Sequence, residues 1–186
     1  MRTIALINSK GGAGKSTLVC ALALHWAEKE KKRVGILDMD TRHLVSEGFV
    51  LHIKHPNISL HEEGETYDIV LIDTAGAIEK EVLDQVVENS DLILIPFDLS
   101  PADVPAVLDT LALFDAPKKT RLMLNRIHVT DPDWKDRDTT LKAIPAKSLK
   151  SVIRYKASYK QALLKGWKGL HWTSRNELRN LAEEVS

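Results

Sequence analysis

The residues Lys10-Gly11-Gly12-Ala13-Gly14-Lys15-Ser16 stand between an apolar, β-rich run, Thr3–Asn8, and an apolar helical run from Lys15 to about Glu30. A glycine-rich turn lets backbone N–H groups converge on an anion, because no Cβ stands in the way. The helix that follows adds the positive end of its dipole. In this setting Lys15 reaches the β- and γ-phosphates, the Ser16 hydroxyl binds Mg2+, and Thr17 lies near the α-phosphate. Gly11, Gly12, Ala13 and Gly14 form the cradle. The pattern is that of a P-loop, with ATP and Mg2+ as cofactors. A glycine turn that merely links strand to helix is the competing reading, and Gly-Lys-Ser at this junction speaks against it.

Further apolar runs follow at Arg33–Asp38, Ile69–Asp73, Leu92–Pro96, Arg121–Asn125 and Ser151–Arg154. They do not alternate, which marks strands buried on both faces of a parallel sheet. Helical patterns lie between them at Ile78–Glu88, Ala102–Phe114, Arg137–Ile144 and Ser158–Leu164, and a last one spans Ser174–Val185. Alternation of strand and helix predicts an α/β, doubly wound, mostly parallel sheet with helices on both faces. The chain of 186 residues fits a single P-loop ATPase domain, 1–186. Residues 41–66 read as loop with at most one short strand.

Three carboxylates fall at the carboxyl ends of predicted strands, where open α/β sheets bind ligands: Asp38, Asp40 and Asp73. Each alone reads as a loop-capping acid; with the glycine motif they read as a site. At Ser9 the usual P-loop pattern has glycine, and here an additional Lys10 precedes the two glycines. In this the chain resembles the ParA/MinD family, whose deviant Walker A motif reads Lys-Gly-Gly-x-Gly-Lys-Ser/Thr. The resemblance implies that Lys10 crosses an ATP-sandwiched dimer interface to the partner's nucleotide. It implies that Asp40 orients the attacking water, that Asp38 lies near the metal, and that Asp73 is the Walker B aspartate. Gly76 would flex a second switch. Asn125-Arg126 resembles a pair that contacts adenine in several ParA members, although a strand-end turn explains it equally. Where the family continues Asp-Pro-Gln, this chain has Asp40-Thr41-Arg42, which bears on switch geometry and hydrolysis rate.

Net charge is zero, yet residues 1–117 carry −9 and residues 118–186 carry +9. From Thr139 to Asn176 no acidic residue occurs among nine Lys and Arg. A one-signed field attracts polyanions. Within it Ile153-Arg154-Tyr155, Tyr159, Ala162-Leu163 and Gly166 resemble the ParA stretch that binds DNA without sequence preference. The expected contacts are Lys150, Arg154, Lys156 and Lys160, with Lys142, Lys147, Lys165 and Lys168 as support. The competing reading is a solvated lysine face. Tyr155, Tyr159, Trp167 and Trp172 read as packing residues.

The resemblance therefore implies a partition or positioning ATPase that forms a homodimer with ATP, coats nonspecific double-stranded DNA, and answers to a ParB-like or cargo-adaptor protein. It would be cytoplasmic and nucleoid-associated when ATP-bound. No run approaches the roughly 18 apolar residues of a membrane helix. A MinD-like membrane-cycling ATPase would end in a basic amphipathic helix, whereas Glu183 and Glu184 close this chain. A metabolic ATP-dependent enzyme on the same fold and a nonhydrolysing scaffold are further alternatives. Cys20, the one cysteine, reads as a core residue. The seven histidines, four of them within His43–His61, read as loop residues, and Asp131–Asp138 as a surface loop around Trp134.

Overall fold

The computed structural model describes residues 1–186. Seven strands, β1 (Arg2–Leu6), β2 (Val34–Asp38), β3 (Ile58–Leu60), β4 (Ile69–Asp73), β5 (Leu92–Phe97), β6 (Thr120–Ile127) and β7 (Lys147–Arg154), form one sheet. Its order is β3-β2-β4-β1-β5-β6-β7, and every pairing is parallel. The helices are α1 (Lys15–Lys29), α2 (Val45–Ile53), α3 (Lys80–Asn89), α4 (Asp103–Ala112), α5 (Arg137–Ala143), α6 (Ala157–Lys165) and α7 (Trp172–Val185). The chain builds β2 to β4 on one side of β1, then crosses to β5 on the other. The carboxyl end of β1 thus marks the topological reversal, where a crevice opens in this fold class.

The apolar runs that suggested two-sided burial behave as the strand period requires. Ile4 and Leu6, Ile69 and Leu71, and Leu92 and Leu94 pack into one core with α1, α2, α6 and α7. Their neighbours Ala5 and Ile7, Val70 and Ile72, and Ile93 and Ile95 pack into a second core with α3 and α4. Successive Cβ atoms point to opposite faces, so an unbroken apolar strand feeds both layers at once. Helix α1 is buried almost all round: Leu18 to Ala27 are inaccessible or nearly so. Each such Leu or Trp contributes about 1.5–3 kcal/mol relative to exposure.

Three expectations are corrected. Residues 41–66 are not mainly loop: α2 and β3 lie there. Their apolar residues Phe49, Val50 and Ile58 join the first core, but α2 is short, a serine, Ser46, stands on its buried side, and the apolar Val45 and Leu51 are exposed, which hid its period. The seventh strand starts at Lys147, four residues early; the exposed Lys147, Ser148 and Lys150 break its apolar run, as an edge strand allows. The histidines are not all loop residues: His25 is buried in α1 and His52 lies in α2, its Nε2 3.1 Å from the Leu164 carbonyl. Within the acidic loop, Trp134 packs against the second core with the Arg137 guanidinium 4.4 Å from its ring centre.

Candidate nucleotide site

A cleft of about 1380 Å³ opens at the carboxyl ends of the strands. It runs from the glycine loop past Asp38–His43 and Thr74–Val82 to Asn125, Arg126 and Ile153–Lys160. This exceeds the roughly 300–1,000 Å³ usual for small-molecule sites.

Its floor is the loop between β1 and α1. Gly14 precedes the helix with φ of 89°, and no side chain caps α1. The first N–H groups of α1 are therefore open to an anion. A Cβ at Gly14 would stand 2.6 Å from the Asn125 amide nitrogen, in addition to the left-handed strain. The loop is pinned from below. Asn8 donates to the Pro96 carbonyl at 2.8 Å and accepts the Lys10 N–H at 2.8 Å. The Ser9 N–H donates to Thr110 Oγ1 at 2.9 Å. Gly76 closes on it from β4's side, where a Cβ would meet the Ser9 carbonyl at 3.1 Å.

Lys15 is buried and donates to the Asn8 carbonyl at 3.0 Å. Burial lowers its pKa, while Asp73 and Asp40 pull it back up. An arriving phosphate would reinforce the charged form. Asp73 is wholly buried, and neither of its carboxylate oxygens has a hydrogen-bond partner. Burial pushes its carboxyl up to about 6, against the opposing effect of the Ser16 and Ser46 hydroxyls beside it. Such an orphaned acid beside a hydroxyl suits a hard cation that takes oxygen ligands, and Mg2+ completes its shell with phosphates and water. The residues present therefore fit Mg2+, with Ser16 and Asp73 as the holding pair.

Asp38 is engaged otherwise. One oxygen accepts the Asp40 N–H at 3.0 Å; the other accepts the Ser46 and Glu47 N–H groups, each at 3.0 Å. It caps α2 from β2 and is the register partner of Asp73, so it anchors the loop beside that acid. Asp40 accepts the Arg42 N–H at 3.1 Å and sits 3.4 Å from His43 Nδ1. What burial it has acts to raise its pKa, but the Arg42 N–H and His43 outweigh that and lower it. It lines the cleft as an ionised acid.

Lys10 is not free. Its ammonium is bonded to Asp103, a buried acid at the start of α4 whose other oxygen accepts the Asp98 N–H at 2.9 Å. Asn125 donates to the Ala13 carbonyl at 2.8 Å, and Arg126, held at φ of 61°, bonds the Gly12 carbonyl. Both residues brace the glycine loop, and both line the cleft. Thr17 also lines it.

The basic segment meets an acid that its own sequence lacks. Glu177 of α7, only 10% exposed, accepts Lys156 Nζ at 2.5 Å, Arg154 Nη1 at 3.4 Å and the Tyr159 hydroxyl at 2.9 Å. Burial and Glu177 hold the Tyr159 phenol well above its usual range. Glu184 accepts the Lys150 and Ser151 N–H groups at 2.7 and 2.8 Å, covering the sheet edge. Burial alone would raise Glu184, but these N–H groups and the Lys150 charge outweigh it and lower its pKa. Lys150 and Lys160 are exposed and form no ion pair, whereas Arg154, also exposed, and the half-buried Lys156 pair with Glu177. Of the aromatics, Tyr159 and Trp167 pack as expected. Tyr155 and Trp172 are 45% and 63% exposed, which corrects their reading as packing residues, and Tyr155 stacks on His128.

Sequence reasoning missed Asp103, Ser46 and Glu177. Asp103 and Glu177 meet their partners far along the chain, and the Ser46 hydroxyl has none, so no local spacing singles them out.

Comparison with known proteins bears on this geometry. A family model described as AAA domain (AAA_31) matches residues 1–104, more than half of the chain. The chain is 29% identical to the maintenance of carboxysome distribution protein A of Gloeobacter kilaueensis, across 99% of this chain and 94% of that protein. Its fold superposes on apo McdA from Cyanothece with a TM-score of 0.74 at 16% identity, covering 100% of this chain and 98% of the other. It superposes on the septum site-determining protein MinD of Pyrococcus horikoshii, solved with Mg-ADP, with a TM-score of 0.72 at 16% identity, covering 100% and 96%. At such identities the superpositions establish the fold, and the family match over the glycine loop establishes the kinship: the chain belongs to the ParA/MinD family of P-loop ATPases.

Proposed function

We propose that this chain is a ParA-type positioning ATPase. It dimerises on ATP, binds duplex DNA without sequence preference, and moves or distributes a cargo through partner-stimulated hydrolysis. The observation that carries the reading is the orphaned, buried Asp73 beside Ser16, at the mouth of an uncapped helix with Lys15 against its base. In this reading Gly11 to Thr17 cradle the phosphates, and Ser16 and Asp73 hold Mg2+, which offsets phosphate charge when bound. Asp40 orients the attacking water. Asn125 and Arg126 border the adenine while bracing the loop. Lys10 leaves Asp103 to reach the partner's nucleotide, a cation in trans that opposes repulsion between facing phosphates.

DNA contact falls first on Lys150 and Lys160, and on Arg154 and Lys156 to the extent that Glu177 releases them. The cargo is a plasmid, a chromosome region or a protein compartment; the carboxysome-distribution relative favours the last. A ParB-like or cargo-adaptor protein would trigger hydrolysis, in the cytoplasm and on the nucleoid. The MinD-like alternative loses support from α7, whose apolar residues Leu178, Leu181, Ala182 and Val185 are all buried in the core. No helix is long and apolar enough to cross a membrane.

Light scattering coupled to size exclusion tests the cycle. The protein is expected to elute as a dimer with Mg2+ and a nonhydrolysable ATP analogue and as a monomer with ADP. A monomer under both conditions contradicts the proposal.

A further inference from the structure

Ser46 lies in the first turn of α2 and is wholly buried, yet its hydroxyl has no hydrogen-bond partner. Buried hydroxyls without partners are uncommon, and each one calls for an explanation. The N-cap position of a helix normally supplies a side-chain oxygen to the helix's first N–H groups, but here it is Leu44, which has none. Here that task is taken by Asp38, which accepts the Ser46 and Glu47 N–H groups from outside the helix. The hydroxyl is thereby left free. It also has a place: the Ser46 N–H meets Asp38 at 3.0 Å, and Asp38 and Asp73 are register partners on adjacent strands. Asp73 is likewise orphaned. A buried, unpartnered hydroxyl from α2 and a buried, unpartnered carboxylate from β4 are thus linked through Asp38 in one corner of the cleft.

We propose that Ser46 is a positioning residue of the Mg2+ site, its hydroxyl holding the metal's water shell together with Asp73. The inference rests on the reading of this cleft as a Mg2+-nucleotide site. It assigns Asp38 the task of fixing α2 so that Ser46 stays on the metal, and it makes α2 the element through which the Asp40 loop and the metal act on each other. Residues that orient a metal's ligands typically change metal affinity about 10–100-fold when removed.

The test is a Mg2+ titration of binding to a fluorescent ATP analogue, with parallel binding in EDTA, for the wild type, Ser46→Ala and Ser46→Thr. Ser46→Ala is expected to raise the Mg2+ concentration for half-maximal effect about 10-fold. Binding in EDTA should stay within about twofold, and Ser46→Thr should restore the wild-type curve. An unchanged Mg2+ curve in a normally folded Ser46→Ala protein overturns the role of Ser46 and leaves the nucleotide site standing. Equal losses with and without Mg2+, together with a lower unfolding temperature, assign Ser46 a structural role and also overturn it. A wild type whose nucleotide binding ignores Mg2+ overturns the reading of the site and this inference with it.

Discussion

The two ends of this chain were built by different rules. In the segment from β1 to α1, the residues that form the anion cradle are neighbours in sequence: Gly11 through Thr17 supply loop and helix start in one short stretch of chain. In the segment from β7 to α7, the residues that decide the local chemistry lie far apart. Arg154 and Lys156 are balanced by Glu177, 23 and 21 positions onward. A window without acids promised a one-signed field, and a helix folded back from beyond the window supplies the missing charge. Local order makes a site readable in sequence, whereas a charge run gives its field only after the fold has chosen its neighbours.

The contrast can be broken at its strong end first. Replacing Lys15 with alanine removes the cation from an otherwise intact cradle, and ATP affinity should fall at least ~100-fold, the order expected from deleting one partner of a buried charge pair worth about 3 kcal/mol. Fluorescent-nucleotide titration measures it. Lys10→Ala should keep monomer nucleotide binding and abolish the ATP dimer, read by light scattering; failure of both assigns Lys10 to the cradle instead.

Asp73 sharpens the same end through pH. Its carboxyl sits at about 6 in the folded chain and near 3.9 when unfolded. Between those values the folded state holds a proton that the unfolded state has released, so stability falls as pH rises from about 4 to 6. Above that, the ionised, orphaned acid costs about 1–3 kcal/mol. The nucleotide-free Asp73→Asn protein should therefore gain several degrees over the wild type at pH 8 relative to the same comparison at pH 4.5. It should also lose the Mg2+ dependence of nucleotide binding. Thermal unfolding at the two pH values decides the matter, and an equal offset at both contradicts the buried-acid account.

At the basic end the effects are smaller. Glu177→Gln releases Arg154 and Lys156, and binding to duplex DNA should strengthen, its logarithmic salt slope steepening by roughly 0.9 for each freed cation that reaches a phosphate. An unchanged slope would mean that these two residues do not face DNA. Lys150→Ala should flatten the slope by about 0.9 for the one phosphate that the lysine no longer neutralises, uniformly across sequences.

The strands β1, β2, β4, β5 and β6 and both cores follow from apolar runs that the sequence displays openly, because a parallel strand buried on two faces leaves little room for polar residues. Lys15, Ser16, Asp40 and Asp73 were legible because a strand end or a glycine turn fixes where a side chain points. The helix α2 was not, since nine residues with Ser46 on the buried side and Val45 and Leu51 exposed carry little periodic signal. The engagement of Lys10 with Asp103 was hidden for a different reason: the two lie 93 positions apart, and only the packing of α4 against the glycine loop joins them. Asp38 was placed near the metal, but its hold on the start of α2 was not legible, because a carboxylate at a strand end serves a metal or a helix start equally well, and the second task depends on where α2 lands.

The most direct test of the whole account is binding to random-sequence duplex DNA with ATP, with ADP and without nucleotide, over a salt series. The account predicts binding that is tight and steeply salt-dependent with ATP alone, since the dimer doubles the number of phosphates neutralised. Absence of binding under every condition, in a protein that still dimerises on ATP, would contradict it and leave the basic segment as a surface balanced by its own α7.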